Sequence, residues 1–266
     1  MKIKGTKDSH ILIPKLLLKE FSTHVPIKNT KGQNENPKMV YKLDMNGKIT
    51  QVNIKEENTE FGYYEDIIET EMLTTIETKF GDLKTRILNN LKLNNEVISF
   101  NKEDVITVKK FCSLCMIRSQ SFVSEIKKKS LFIDIYGNAP QNVIMYQYFK
   151  SPELVDKYIV GNNLSYVKNE TNINYILPRY YVVGIKQENG VFDFFIPITT
   201  KILVRLTTEK TIDGQILYTG RMTDLDVDNF NKLAILYELK HNNQAVYAKN
   251  KDDLEKYVDF LKELKK

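Results

Sequence analysis

The residues of this chain that could do chemistry are few, and they lie far apart in the sequence. His10 carries an imidazole, which titrates near neutral pH and can act as a general acid or base. Arg118 stands at the end of a long apolar run, where a guanidinium needs an anion or several acceptors. Asn162 and Asn163 follow a short apolar stretch, so their amides could bind a ligand from a strand end. These residue types predict an acid/base, a phosphate contact and a ligand-binding pair.

Each of these residues also has a purely structural interpretation. His10 could bond the backbone at the start of a helix, and the two asparagines could form a turn, since Asn tolerates left-handed geometry. Arg118 could form a buried ion pair with Glu77 or Glu71 on the preceding helix and so lock two helices together. If the side chains converge in a pocket, Glu77 joins His10 and Arg118 as a catalytic residue. The spacing of Glu77 and Lys79 resembles a nuclease Glu-x-Lys motif, but it falls inside a predicted helix rather than on a strand.

The two cysteines of the chain, Cys112 and Cys115, lie within the apolar run. Their spacing places both on one side of a helix, without a second cysteine pair or a nearby histidine. We therefore expect reduced core thiols rather than a zinc or redox site. The three histidines, at positions 10, 24 and 241, are scattered, so we expect no metal site. The sequence contains no phosphate loop, Gly-x-Ser-x-Gly elbow or dinucleotide fingerprint, so we expect no cofactor.

The overall composition is that of a folded chain with a mixed surface. Of its 266 residues, 42% are hydrophobic and 27% are charged, and the formal net charge is +5. Basic and acidic residues alternate along most of the chain, which favours a solvated surface but leaves nucleic acid or nucleotide open as a partner. No apolar run approaches the ~18 residues of a membrane span, and the start of the chain lacks a small-residue cleavage site. We expect a cytoplasmic protein that contacts no membrane.

Two long helices are expected to position the candidate residues. Residues 101–127 are apolar on nearly every face, which is typical of a helix in the middle of a domain. Residues 63–93 repeat apolar side chains every three or four positions, which predicts an amphipathic helix. The connection between them is short, so the two helices are predicted to pack antiparallel.

Strands are expected on either side of this helix pair. Asn46-Gly47 separates two alternating segments, 39–43 and 49–54, and predicts a hairpin with a type I′ turn. Further strands are predicted at 180–186, 191–196, 201–207, 216–219 and 245–248, with Pro197 as an interruption, and helices at 225–240 and 252–264. This order predicts an α+β fold with a central antiparallel helix pair, an N-terminal β-hairpin and a C-terminal, mostly antiparallel sheet flanked by two helices. We expect one domain over residues 1–266, with 1–9 loose and 24–37 a surface loop.

Several short stretches together resemble one bacterial family, the domain of unknown function (DUF) 4238. The matching stretches are His10 to Pro14 leading into Leu18 and Phe21, Val40-Tyr41 followed by Asp44, Leu73 to Glu77, Met116 to Ser119, Tyr158 to Leu164, Phe195 to Ile198, Asn231, and Val246-Tyr247. The resemblance implies a single domain of this type and an intracellular bacterial setting, which for some relatives is a phage-defence locus. The chain departs from the pattern at Asn162, where the family has an acid, and at Leu164, where it has proline. If that acid is catalytic in relatives, this chain lacks part of their activity.

Two classes of function follow from these observations. The first is an enzyme acting on nucleic acid or nucleotide, such as a metal-independent RNase with His10 as acid/base and Arg118 as phosphate contact. The alternative is a non-enzymatic sensing or protein-interaction module whose polar residues only fix the core. A protein partner or a homo-oligomer is compatible with either class. The two are distinguished by whether His10, Glu77, Arg118 and Asn162 converge in one open pocket.

Overall fold

The computed structural model describes residues 8–10, 13–28, 34–57, 59–61, 68–93, 98–118, 159–209, 215–216, 222–240 and 245–265. The fold is α+β, as predicted. The helices are α1 (Lys15–Leu18, extended by a 3-10 turn at Lys19–Phe21), α2 (Thr75–Lys92, preceded by a π-helical segment at Ile68–Thr74), α3 (Lys102–Arg118), α4 (Asp224–Lys240) and α5 (Asp252–Leu264). The strands are β1 (Asp8–His10), β2 (Thr23–His24), β3 (Ile27–Lys28), β4 (Asn34–Glu35), β5 (Lys38–Asp44), β6 (Ile49–Asn53), β7 (Thr59–Phe61), β8 (Ile98–Ser99), β9 (Asn163–Lys168), β10 (Leu177–Pro178), β11 (Val183–Lys186), β12 (Phe192–Thr199), β13 (Ile202–Thr207), β14 (Gln215–Ile216) and β15 (Ala245–Ala248).

Helices α2 and α3 pack antiparallel, which confirms the central prediction. The rings of Phe80 on α2 and Phe111 on α3 stack with their centroids 3.7 Å apart. Phe111, Cys112 and Cys115 are all buried, as expected for a helix that is apolar on nearly every face. The first helix was predicted to begin at residue 63 and the second to end at residue 127. Both of these ends fall in segments, 62–67 and 119–158, that lie outside the described residues.

The predicted hairpin is present as β5 and β6, but its turn is not of type I′. The two strands are joined by a three-residue loop, because Asp44 pairs with Lys48 and Gly47 donates its N–H to the carbonyl of Asp44 at 3.0 Å. Gly47 has a φ of 87°, whereas Asn46 has a negative φ. The carboxylate of Asp44 accepts the N–H groups of Asn46 and Lys48, both at 2.9 Å. That pair of bonds stabilises a type I turn closed by a left-handed glycine, which is the usual three-residue hairpin.

Two antiparallel sheets hold most of the strands. In the first, β10, β15, β5 and β2 are neighbours in that order and β6 pairs with β5; in the second, the order is β11, β12, β13 and β9. The N-terminal hairpin is therefore not a separate unit, since β5 pairs with the C-terminal strand β15 from Asp44 opposite Ala245 to Tyr41 opposite Ala248. Helices α4 and α5 both contact β15, as expected of helices flanking the C-terminal strands.

Several predicted boundaries are wrong. The strand expected at 180–186 begins only at Val183, and Pro197 lies inside β12 rather than ending it. Strand β9 was not predicted, and neither Asn162 before it nor Asn163 at its start has a left-handed backbone. The expected surface loop 24–37 contains the short β3–β4 ladder, and Asp8 and Ser9, expected to be loose, pair with β7.

No helix in the described parts of the chain is long and apolar enough to cross a membrane.

Candidate functional site

Helix α3 carries Arg118, and the start of the helix is fixed by a reciprocal cap. Asn101 Oδ1 accepts the N–H of Asp104 at 2.9 Å, and Asp104 Oδ2 accepts the N–H of Asn101 at 2.8 Å. Two otherwise unsatisfied donors are thereby paired at the helix start. The cap fixes the residue at which α3 begins, and Lys109 and Arg118 both lie on this helix.

Arg118 forms the ion pair with Glu77 that was one of its two predicted roles. Its Nη2 donates to Glu77 Oε1 at 2.7 Å. The Arg118 side chain is 2% exposed and that of Glu77 is 24% exposed, so the cation is buried and the carboxylate reaches water. Glu77 is the third residue of α2 after the π-helical segment, where the hydroxyl of Thr74 donates to the carbonyl of Glu69 at 2.6 Å. Such segments widen a helix by one residue per turn and often occur near functional residues.

Asn162 is held by a buried lysine that the sequence reasoning missed. Lys109 Nζ donates to Asn162 Oδ1 at 2.9 Å, with Lys109 9% exposed and Asn162 exposed. Arg118 is therefore not the only buried charge of the apolar run, since Lys109 also lies within it. The signal was present: a lysine in the interior of an almost wholly apolar helix has to find acceptors.

Asn163 begins β9 and is bound to the end of the neighbouring strand. Its Nδ2 donates to the backbone carbonyl of Glu209 at 2.7 Å. The chain before it runs very close to β13, because a Cβ on Gly161 would lie 2.5 Å from Cγ of Leu206. The two asparagines therefore mark the entry of β9 into the second sheet, rather than a free turn.

The candidate residues do not come together in one pocket within the described part of the chain. Lys109 and Arg118 are nine residues apart on α3, which is about 13 Å along the axis and half a turn around it. Arg118 thus holds Glu77 on one face, and Lys109 holds Asn162 on the opposite face. The backbone of His10 lies in β1 opposite Thr59, and its side chain is outside the described residues. Of the predicted site residues, the structure brings Glu77 and Arg118 into contact.

A second polar cluster, also missed, lies around the turn before β11. Tyr181 has a φ of 34°, which is the left-handed region and is strained for a bulky side chain. The N–H of Tyr180 donates to Glu238 Oε1 of α4 at 2.6 Å, and the thiol of Cys115 donates to the carbonyl of Tyr180. Glu238 is fully buried. The signal for it in the sequence was an isolated acid in an otherwise apolar part of α4. The turn is held from both sides, by α3 and by α4.

Burial sets the protonation of this cluster. Burial raises the pKa of Glu238 to about 8. The hydrogen bond from the N–H of Tyr180 and the nearby charge of Arg179 lower this pKa, but they offset only part of the rise. Burial, helped by Cys112 and Glu238, raises the pKa of the Cys115 thiol well above its ordinary value, and burial also raises that of Cys112. A thiol in this condition is a poor nucleophile, since the thiolate is the reactive form. The cysteines are therefore suited to packing rather than to covalent catalysis.

Metal ligands do not cluster among the described residues: no group of three or more His, Cys, Asp or Glu side chains there could hold an ion. Cys112 and Cys115 are both free thiols.

Residues 10–157, more than half of the chain, match the family described as "Protein of unknown function (DUF4238)", so the chain is a member of that family. The match begins at His10 and includes β5, β6, α2 and α3 but ends before Asn162, so the correspondence of Asn162 to a family acid stays a prediction. Neither the curated proteins nor the solved structures contain a match.

Proposed function

We propose that this chain is a non-enzymatic sensing or protein-interaction module. The observation that carries the proposal is the state of Arg118, whose guanidinium is buried and bound to Glu77. A phosphate contact has to meet its ligand, and a side chain 2% exposed does not do so. Asn162, another candidate site residue, is attached to the opposite face of α3 by Lys109.

The cellular setting is part of the same proposal. The two unpaired thiols suit a reducing compartment, which supports a cytoplasmic location. The proposal also includes an intracellular bacterial setting at a phage-defence locus, which is what the resemblance of the sequence to this family implies.

The competing proposal is hydrolysis of RNA or a nucleotide by His10 and Arg118. It requires Arg118 to leave Glu77 and become exposed, and it requires the imidazole of His10 to lie within hydrogen-bonding reach of the same substrate. It remains the second proposal for this chain.

Incubation of the purified chain with labelled RNA and DNA, with and without EDTA, tests the two proposals. We expect both polymers to remain intact under either condition. His10→Ala and the matched control His24→Ala, purified in the same way, separate a real activity from contamination. Cleavage by the wild type and by His24→Ala, but not by His10→Ala, would replace the non-enzymatic proposal with the hydrolytic one.

A further inference from the structure

The outer side of the α2–α3 pair carries a lysine-lined cleft, and we propose that it binds a nucleotide. The cleft has a volume of about 420 Å³, within the range of about 300–1,000 Å³ that is usual for small-molecule sites. It lies between the start of α2 and the first half of α3. Its lining includes Lys79, Lys102 and Lys110 around two isoleucines, Ile76 and Ile106.

The three lysines converge because of helix periodicity. Lys102, Ile106 and Lys110 follow one another at intervals of four, so they form a single stripe along α3. Lys79 faces this stripe from α2. Lys102 and Lys110 are exposed and form no ion pair with another described residue. Their ammonium groups are therefore available to an incoming anion.

The one acid of the cleft does not cancel this charge. Glu103 Oε1 lies 3.0 Å from Lys79 Nζ, so the lining of three lysines and one glutamate has a formal charge of +2. The side chains of this pair are 56% and 72% exposed. An exposed pair of this kind is weak, so a phosphate can displace Glu103 from Lys79.

The floor of the cleft favours a ligand with an apolar part. Ile106 is 42% exposed, although a solvent-facing position of a surface helix is usually polar. Ile76, which is 8% exposed, also lines the cleft. A nucleotide matches both features, since its base can cover the isoleucines while its phosphates meet the lysines. Lysine binds phosphate as a point charge, so no fixed fork geometry is needed.

Among the described residues, the positive surface around this cleft is too short for a nucleic-acid strand. The neighbouring cleft shares Lys79 and Glu103 but is lined by Asp82 and Asp104, and Asp104 already binds Arg86 at 2.6 Å. Acidic side chains at this end would repel the next phosphates of a polymer. The charge pattern therefore favours a single nucleotide with several phosphates over a strand of RNA or DNA.

This assignment gives the proposed sensing module its ligand and so rests on that proposal. Calorimetric titration of the full chain with ATP at low ionic strength tests it, with adenosine and inorganic phosphate as separate probes. We expect ATP to bind more tightly than either probe, and salt to weaken its binding. The Lys102→Gln/Lys110→Gln variant should lose affinity for ATP about ten-fold or more, because two charge contacts are removed. Lys240→Gln/Lys249→Gln removes the same charge from exposed lysines elsewhere and should bind as the wild type does.

The outcomes separate the site from the function. ATP binding that is lost in the cleft variant and kept in the control, with ATP intact afterwards, supports both proposals. The same binding accompanied by hydrolysis supports the cleft and overturns the non-enzymatic proposal. No binding of ATP, or equal loss in both variants, overturns the cleft and leaves the sensing proposal to its own test. Binding of a short RNA that ATP does not displace also overturns the nucleotide assignment.

Discussion

Arg118 and Glu77 contribute unequally to their ion pair, because only one of them is buried. The guanidinium has lost its hydration, and its charge is balanced by a carboxylate at 2.7 Å. The carboxylate keeps part of its hydration, since the Glu77 side chain is 24% exposed. A pair of this kind fixes the register of two helices more than it adds net stability, because desolvation offsets much of the Coulomb attraction.

Arg118→Met is expected to lower the free energy of unfolding. Breaking a buried pair costs about 3–5 kcal/mol, and since Glu77 reaches water we expect the lower end, about 3 kcal/mol. Urea unfolding of the single variant and of Arg118→Met/Glu77→Gln measures the effect. The double variant should recover part of the loss, because no charge is then stranded.

The exposed pair of Lys79 and Glu103 supplies the control, since it joins the same two helices. Lys79→Met should change the free energy of unfolding by no more than about 1 kcal/mol, as is usual for surface pairs. An unchanged urea midpoint for Arg118→Met would show that the pair has no structural role.

Glu238 is expected to make stability depend on pH. Its pKa in the folded chain is about 8, raised by burial from the ordinary 4.5, and the charge of Arg179 and the bond from Tyr180 lower it only in part. The neighbouring Cys115 and Tyr237 stay protonated in this range, because burial raises the pKa of both. Between the ordinary pKa of 4.5 and the folded pKa of about 8, the folded state therefore keeps a proton that the unfolded state has released. The free energy of unfolding should then fall as pH rises from about 4.5 to about 8.

Urea unfolding at several pH values across this range measures the slope. Glu238→Gln cannot titrate and should flatten it, while Glu255→Gln, which removes an exposed carboxylate of α5, should keep it. A wild-type slope that survives in Glu238→Gln would contradict the assignment.

At the scale of elements, the helices were predictable and the strand boundaries were not. Helix α5 has the predicted bounds, and α4 differs by one residue, because apolar periodicity persists over many residues. Strand signals are shorter and depend on neighbours. Pro197 can lie within β12 because the register with β13 shifts between Pro197 and Thr199, a bulge that no local pattern indicates.

The distance along the sequence between two partners also explains which part of the candidate site was predictable. The pair of Arg118 and Glu77 follows from two neighbouring antiparallel helices, so the sequence could narrow the partner of Arg118 to Glu77 or Glu71. The bond of Lys109 to Asn162 joins α3 to the residue before β9, 53 residues further on, and no periodicity relates the two. The strained turn at Tyr181 is likewise held by contacts from α3 and α4, which only the tertiary fold brings together.

The approach of β9 to β13 depends on one glycine. Gly161→Ala would place a Cβ 2.5 Å from Leu206 Cγ and 3.1 Å from the backbone nitrogen of Thr207, and the backbone cannot move aside easily. We expect a loss of about 1–3 kcal/mol in the free energy of unfolding, as for other overpacked positions. Thermal or urea unfolding measures it.

Gly81→Ala is the matched control, because Gly81 lies in α2 and a Cβ there meets nothing within 4 Å. That substitution should raise the free energy of unfolding by about 0.5–1 kcal/mol, since alanine favours a helix over glycine. Equal effects of the two substitutions would show that the close contact at Gly161 carries no energy.

At the scale of the whole molecule, contacts between segments that are far apart in the sequence hold the fold together. Strand β15 pairs with β5, and the hydroxyl of Tyr247 donates to Glu57 Oε1 at 2.7 Å across 190 residues of sequence. Lys42 binds the same carboxylate oxygen at 2.8 Å. Helix α3 is attached to α2 by Arg118 and to the entry of β9 by Lys109, so it is tied into the molecule on opposite faces. The two attachments use Arg118 and Asn162, two of the residues that the sequence analysis named as candidates for a functional site.

Placing an acid at position 162, where the resemblance to the family implies one, tests the function of the whole arrangement. In Asn162→Asp, the new carboxylate meets the ammonium of Lys109 where the amide oxygen lies at 2.9 Å. Because position 162 is exposed, the pair should raise the free energy of unfolding by no more than about 1 kcal/mol. Asn163→Asp is the matched control: it replaces an amide that donates to the carbonyl of Glu209 by a carboxylate that cannot, and should cost about 1–3 kcal/mol. Urea unfolding distinguishes the opposite signs. With RNA as substrate, a non-enzymatic module remains inactive in both variants, whereas cleavage by Asn162→Asp but not by Asn163→Asp would show that the fold is an enzyme from which one acid has been lost.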